Sequence, residues 1–196
     1  MTRVTWIRHG EPSEGVLGTH YGQSDVDLSD AGRAQSSALA ERLQETMFDA
    51  VWSSDLARAR CVADLLAAAR GLTVQVEPAL RERHLGVFQG MTYAQAQAKY
   101  PDHATRLRTE GESHRVPEGE NIEDLAARVI PAIEAIVKAH EGQSVAIAAH
   151  GGPIRAAIGH ALDVPFANLA RLRVDYCGVS IIEYSEGRPR VICLNV

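Results

Sequence analysis

Cysteine is scarce in this 196-residue chain: Cys61, Cys177 and Cys193 are odd in number and show no C-x-x-C spacing. That argues against a disulfide framework and against a thiolate zinc site, and the three read as small core residues. Runs of basic residues are also missing. With 20 Lys and Arg against 25 Asp and Glu, a net charge of −5, the chain offers no electrostatic footprint for nucleic acid or an anionic membrane. Any positive site must therefore be local. No apolar stretch is long enough to span a bilayer, and "MTRVTWIRHGEP" lacks the apolar core and small-residue cleavage site of a signal peptide. The expected location is the cytoplasm.

What is present is ordinary globular composition, 45% hydrophobic and 23% charged, at a length that suits one domain over residues 1–196. Segments rich in β-branched residues recur at "RVTWIR", "DAVWSS", "TVQVE", "SVAIAAH" and "VSIIEY". Between most of them lie helical patterns. "DAGRAQSSALAERLQ" opens after Ser29 and Asp30, and "DLARARCVADLLAAAR" is closed by Gly71. "NIEDLAARVIPAIEAIVKAHEG" carries apolar residues at helical spacing, with a kink expected at Pro131. This alternation predicts a three-layer α/β/α sandwich around a mostly parallel sheet. From about Leu85 to Asn121 the rhythm breaks, and the segment reads as a lid-like insertion over the sheet edge. Within it "RTEGESHR" is expected to be a solvated loop.

In open α/β sheets ligands sit beyond the carboxyl ends of the strands. Arg8 and His9 follow the first strand, and Ser53 and Ser54 end the second with Arg58 one helical turn later. His150, Gly151 and Gly152 end "SVAIAAH" and open a helix with Pro153, while Glu82 follows "TVQVE" by a short turn. Taken alone, Arg58 and Glu82 read as surface groups, and His84, His103, His114, His140 and His160 as hydrogen-bonded structural histidines. The coincidence of cations at strand ends changes that reading for Arg8, His9, Arg58 and His150. Two arginines and two histidines in one place need an anion, and phosphate suits guanidinium forks beside a helix N-terminus. No carboxylate cluster or paired-histidine helix accompanies His9 and His150, so no metal and no cofactor is expected.

The motifs "IRHGEP", "SSDLARAR", "LRERHLGVFQG" and "AHGG", in this order, resemble those of the histidine phosphatase superfamily, which includes phosphoglycerate mutase-like enzymes. The resemblance implies that His9 is the nucleophile, that Arg8 and Arg58 hold phosphoryl oxygens, that His150 is a further phosphate contact and that Glu82 is the general acid. Clustered positive charge is expected to keep the His9 imidazole unprotonated, and a bound anion to favour charged His150. Tyr21, Gly22, Gly151 and Arg83 are the expected substrate contacts. Where many relatives carry a phosphate-touching asparagine, an ungapped reading puts Gly15.

The expected activity is a metal-independent phosphomonoesterase that works through phosphohistidine on a small phosphorylated metabolite, a sugar phosphate or α-ribazole phosphate among the candidates. The alternative is a 2,3-bisphosphoglycerate-dependent phosphoglycerate mutase, which Glu82-Arg83-His84 resembles. Leu85, Tyr93, Thr109-Glu110 and Gly152 depart from the mutase pattern, with Arg106, Arg108 and Arg115 as the available compensating charges. A non-catalytic phosphate-sensing domain is a remote third reading, disfavoured by the presence of both His9 and Glu82. The partner is a small phosphate ester rather than nucleic acid or membrane, with a homodimer left open. Tyr93, Tyr100 and Arg106 read as lid packing.

Overall fold

The computed structural model of the chain describes residues 1–185 and 188–196. Elements run in the order β1 (Thr2–Arg8), α1 (Asp30–Arg42), β2 (Ala50–Ser53), α2 (Ala57–Ala68), β3 (Val74–Val76), α3 (Tyr93–Lys99), α4 (Pro101–Glu110), α5 (Ile122–Ala139), β4 (Ser144–Ala149), α6 (Gly151–Ala161), β5 (Val179–Tyr184) and β6 (Arg190–Cys193). They form one sheet of order β3-β2-β4-β1-β5-β6. The pairs β1–β4, β2–β4 and β2–β3 are parallel, whereas β5 pairs antiparallel with β1 and with β6. β6 is a strand that the sequence pattern does not reveal, because its "RVIC" alternates in exposure at the sheet edge.

The central strands are apolar on both faces because helices cover both. Val145, Ile147 and Ala149 of β4 join Leu125, Val129, Ile133, Ile154 and Ile158 from α5 and α6 in one core. The intervening Ala146 and Ala148 face Leu39, Val62 and Leu66 of α1 and α2 on the other side. Truncating a fully buried leucine such as Leu125 to alanine costs about 2–5 kcal/mol at sites of this kind. Ser29 caps α1 by accepting from Gly32 N–H, and Asn121 and Asp124 form a reciprocal capping box that starts α5. α5 runs as helix through Pro131, which lies on the exposed face where a missing N–H bond is tolerated.

Three expectations change here. The segment after Leu85 is no irregular loop: it folds as α3 and α4 around its own small core of Phe88, Ala96 and Val116. "RTEGESHR" is the end of α4 and a 3-10 turn, not a solvated loop, since His114 is buried and Glu112 pairs with Arg155 of α6 at 3.1 Å. The three cysteines are free and only half-buried, so none is a true core residue.

Candidate active site

The parallel strands all end at one edge, and β1 and β4 deliver Arg8–His9 and His150 side by side there. The rings of His9 and His150 lie 5.1 Å apart, and both residues are buried. His9 Nδ1 is 2.6 Å from the carbonyl oxygen of Gly10. A carbonyl can only accept, so Nδ1 carries the proton and Nε2 is left with a free lone pair. Position 10 has to be glycine: a β-carbon there would lie 2.3 Å from Gly32 O, in the first turn of α1. The sequence R-H-G thus mounts an imidazole on a rigid strand and lets a helix pack directly behind it.

Arg58 is fully buried, contrary to the surface role an isolated arginine suggests. Its Nη2 and Nη1 donate to Gly22 O at 2.6 Å and Ser24 O at 2.8 Å, and its Cζ is 5.1 Å from the centre of the Tyr21 ring. Arg8 donates to Val174 O and lies 4.1 Å from the Tyr176 ring. His150 Nε2 shares a 2.7 Å hydrogen bond with Ser54 Oγ. These anchors leave Arg8 Nε, Arg58 Nε and His150 Nδ1 buried without a protein partner among the described residues. Buried polar groups are seldom left so, and a cluster of them around a histidine is suited to receive an anion.

Glu82 approaches from an irregular segment beyond β3. Its carboxylate accepts N–H groups from Arg83 at 2.9 Å and from Gly152, at the start of α6, at 3.1 Å. Gly152 admits it: a β-carbon there would stand 2.3 Å from Glu82 Oε1. A β-carbon on Gly151 would lie 3.8 Å from Glu82 Oε2 and 4.0 Å from Arg8 Nε, so this glycine keeps open the gap between carboxylate and guanidinium.

The electrostatics agree in direction with the expectation for His9, with a different leading cause. Burial pushes its proton affinity well below the ordinary imidazole value, and the charges of Arg58 and Arg8 push it further. His150 is lowered in the same way, by burial first and then by Arg58. Burial also raises the Tyr21 hydroxyl to about 12, so it stays a neutral donor.

The structure therefore brings Arg8, His9, Arg58, Glu82, His150, Tyr21, Gly22 and Gly151 together. Arg83 stands at the side: it is nearly buried, with three 3.4 Å contacts to the carbonyls of Glu112, His114 and Glu120, and it lines a cavity of about 180 Å³ with Tyr21, Gly22 and Glu82. Gly15 is exposed, with open space around it. Of the histidines set aside, His103 bonds His114 at 3.1 Å, His140 accepts Trp52 Nε1–H at 3.1 Å, and His84 accepts Gly86 N–H. Tyr176, His20 and Arg128 belong to the site or its frame, and no motif flags them. Tyr176 and Arg128 come from segments distant from their partners, so only the fold reveals them, and His20 adjoins Tyr21 without a motif to mark it.

A histidine with a free ring nitrogen, fixed cations and a carboxylate at the end of a parallel sheet suit the handling of phosphate esters. The family model described as "Histidine phosphatase superfamily (branch 1)" matches residues 4–196, and the chain belongs to that superfamily. A metal-independent phosphoserine phosphatase of Arabidopsis thaliana is 36% identical over 80% of this chain and 67% of its own length. A probable phosphoglycerate mutase of Erwinia tasmaniensis is 28% identical over 95% of this chain and 86% of its own. Among solved structures, a mycobacterial glucosyl-3-phosphoglycerate phosphatase matches with a TM-score of 0.86 and 35% identity, covering 99% of this chain and 98% of that one. The protein is a phosphoric monoester hydrolase for a small phosphate-bearing metabolite.

Proposed function

We propose that the phosphoryl group of the substrate docks against Arg8 Nε, Arg58 Nε and His150 Nδ1 and is passed to His9 Nε2. In the first step the Nε2 lone pair forms the P–N bond as the ester P–O bond breaks, and the carboxyl of Glu82 gives its proton to the departing alcohol oxygen. In the second, water forms a new P–O bond, the P–N bond breaks, and the Glu82 carboxylate takes the water's proton. The carrying observation is the set of three buried, unpartnered nitrogens beside His9. Fixed donors of this kind stabilise phosphoryl transfer without reorganising.

Two cavities support a reading of the alcohol half. The one beside Glu82 meets a groove of about 440 Å³, because His20 and Tyr93 line both. Tyr93 is 60% exposed, so it is not the packed lid residue expected of it. Ala104 and Leu107 make the groove apolar, and Arg108, which has no ion-pair partner among the described residues, stands at its wall. The substrate class this supports is a phosphomonoester whose alcohol has an apolar portion and a carboxylate. A mutase needs charge for a second phosphate, and of the three candidate cations Arg106 is paired with Glu110 and Arg115 with Asp124, which leaves Arg108 alone to supply it. The phosphatase reading is the better supported.

Rapid mixing with a radiolabelled phosphomonoester followed by an alkaline quench, which spares phosphohistidine, is expected to label the protein, and His9→Ala to abolish both label and turnover. Turnover without label in the wild type, or retained turnover in H9A, overturns the reading. Interconversion of 2- and 3-phosphoglycerate stimulated by the bisphosphate would establish the mutase instead.

A further inference from the structure

Glu82 sits on a stretch with little regular structure to hold it. After β3 the chain makes one 3-10 turn, Pro78–Leu80, and has no helix or strand again until a second short turn at Gly86–Phe88. Its backbone carbonyls therefore need donors from elsewhere. Arg128, on α5, supplies them. Its Nη1 donates to Ala79 O at 2.6 Å and to Arg81 O at 2.8 Å, and its Nη2 to Glu82 O at 2.9 Å. The Nε and the second Nη2 hydrogen bond both oxygens of Glu120, at 2.7 and 2.8 Å. All five N–H donors of the guanidinium are in use. Glu120 in turn accepts the backbone N–H of His84 at 2.9 Å, so the clamp grips the chain on both sides of Glu82. Gln23 Nε2 adds a second donor to Glu82 O, also at 2.9 Å.

From this we infer that Arg128 is the positioning residue of the proton donor: carried by α5 and braced by Glu120 just ahead of that helix, it fixes the backbone from Ala79 to His84 so that the Glu82 carboxyl reaches the bond being broken. It touches no reacting atom. The inference rests on the assignment of Glu82 as proton donor, and it explains why an irregular segment can carry a group whose placement matters at the ångström level. A misplacement of about 1 Å costs on the order of 100-fold in rate. Lysine cannot take over, since a single ammonium lacks the planar fork that spans three carbonyls and a carboxylate.

The test separates esters by their need for a proton. p-Nitrophenyl phosphate releases a stabilised phenolate, whereas β-glycerophosphate releases an alkoxide that must be protonated. Arg128→Lys is expected to lower kcat/KM on β-glycerophosphate about tenfold or more, while p-nitrophenyl phosphate changes less than about threefold. Glu82→Gln should show the same selectivity more strongly, and the double variant should be no worse than E82Q alone on β-glycerophosphate. Equal losses on both esters in R128K, or a full additive loss in the double variant, overturn the inference. If E82Q treats the two esters alike, the assignment of Glu82 itself falls, an outcome read independently of R128K. Should R128K fail to fold, Glu120→Gln loosens the same clamp while leaving the carbonyl contacts in place; it is expected to show the selectivity in weaker form, and indifference to the leaving group counts against the inference.

Discussion

The two ends of the substrate cleft are built differently. At the sheet edge the functional side chains are tied to the backbone: buried His9 to Gly10, buried Arg58 to Gly22 and Ser24, and half-buried Glu82 to Gly152. Over the groove, α3 and α4 rest on a core whose fully buried members are Phe88, Ala96 and Val116, and charged residues such as Arg106 and Glu110 pair at the surface. The phosphoryl group is common to all substrates of such an enzyme, and it meets fixed donors. The alcohol varies, and it meets a thinly packed, exposed wall. Changes at the first end should therefore strike kcat for every ester, and changes at the second should sort esters by their alcohol.

Beyond loss of His9 itself, the largest effect is expected from Arg58→Met. If this buried arginine is the phosphoryl clamp proposed above, its removal should lower kcat by about 10³-fold or more on all esters, in line with arginines that stabilise phosphoryl transfer. It also strands the carbonyls of Gly22 and Ser24, so thermal melting should fall as well. A loss confined to KM would mean that Arg58 binds the ground and transition states equally. Next comes Gly152→Ala. Its β-carbon collides with Glu82 Oε1 and comes within 2.8 Å of Leu125 Cδ1, so the acid must swing away. Steady-state kinetics should show a loss of about 100-fold on alkyl esters and a smaller one on p-nitrophenyl phosphate.

The buried histidines make a third prediction, on stability. Both His9 and His150 hold protons more weakly in the folded state than the ordinary value of 6.5. Below about pH 6.5 the unfolded chain binds protons that the folded one does not, so stability rises with pH through that window and is lost as pH falls. Each histidine contributes up to about 1.4 kcal/mol per pH unit until its folded value is reached. Urea denaturation between pH 7 and 5.5 should show this slope. Inorganic phosphate should flatten it by favouring protonated His150, and His150→Asn should reduce it. Stability that is level across this range and indifferent to phosphate would mean that the histidines are hydrated.

The strand ends were legible because R-H-G, S-S-D and A-H-G-G each punctuate an apolar β-branched run, and a parallel sheet sends all such ends to one edge. The helices α1, α2 and α5 announce themselves by apolar spacing, with the Ser29 cap opening α1 and Gly71 closing α2. α3 and α4 do not, because α4 buries no residue and its "PDHATRLRTE" is polar apart from Ala104 and Leu107. β6 is hidden by its position at an edge. Arg128 and Tyr176 are invisible in sequence for another reason: their partners, Ala79 to Glu82 and Arg8, lie in segments far away along the chain. Arg58 shows the limit of local reasoning most sharply, since nothing in one helix turn tells a surface arginine from one buried to 0% exposure.

The smallest expected effects bear on the groove. Arg108→Gln should raise KM about three- to tenfold for esters of carboxylated alcohols and leave p-nitrophenyl phosphate unchanged, since one rim-exposed charge pair is worth on the order of 1 kcal/mol. Arg106→Gln and Arg115→Gln, by contrast, remove arginines already occupied by Glu110 and Asp124 at the surface. Neither should change kcat/KM for any phosphomonoester, because these cations face their own partners and not the cleft. That silence is informative. If R106Q or R115Q weakened the binding of 2,3-bisphosphoglycerate or raised KM for phosphoglycerates, the lid would be rearranging its ion pairs around a second phosphate. The contrast between a fixed and an adaptable end would then hold, but the adaptable end would serve a mutase.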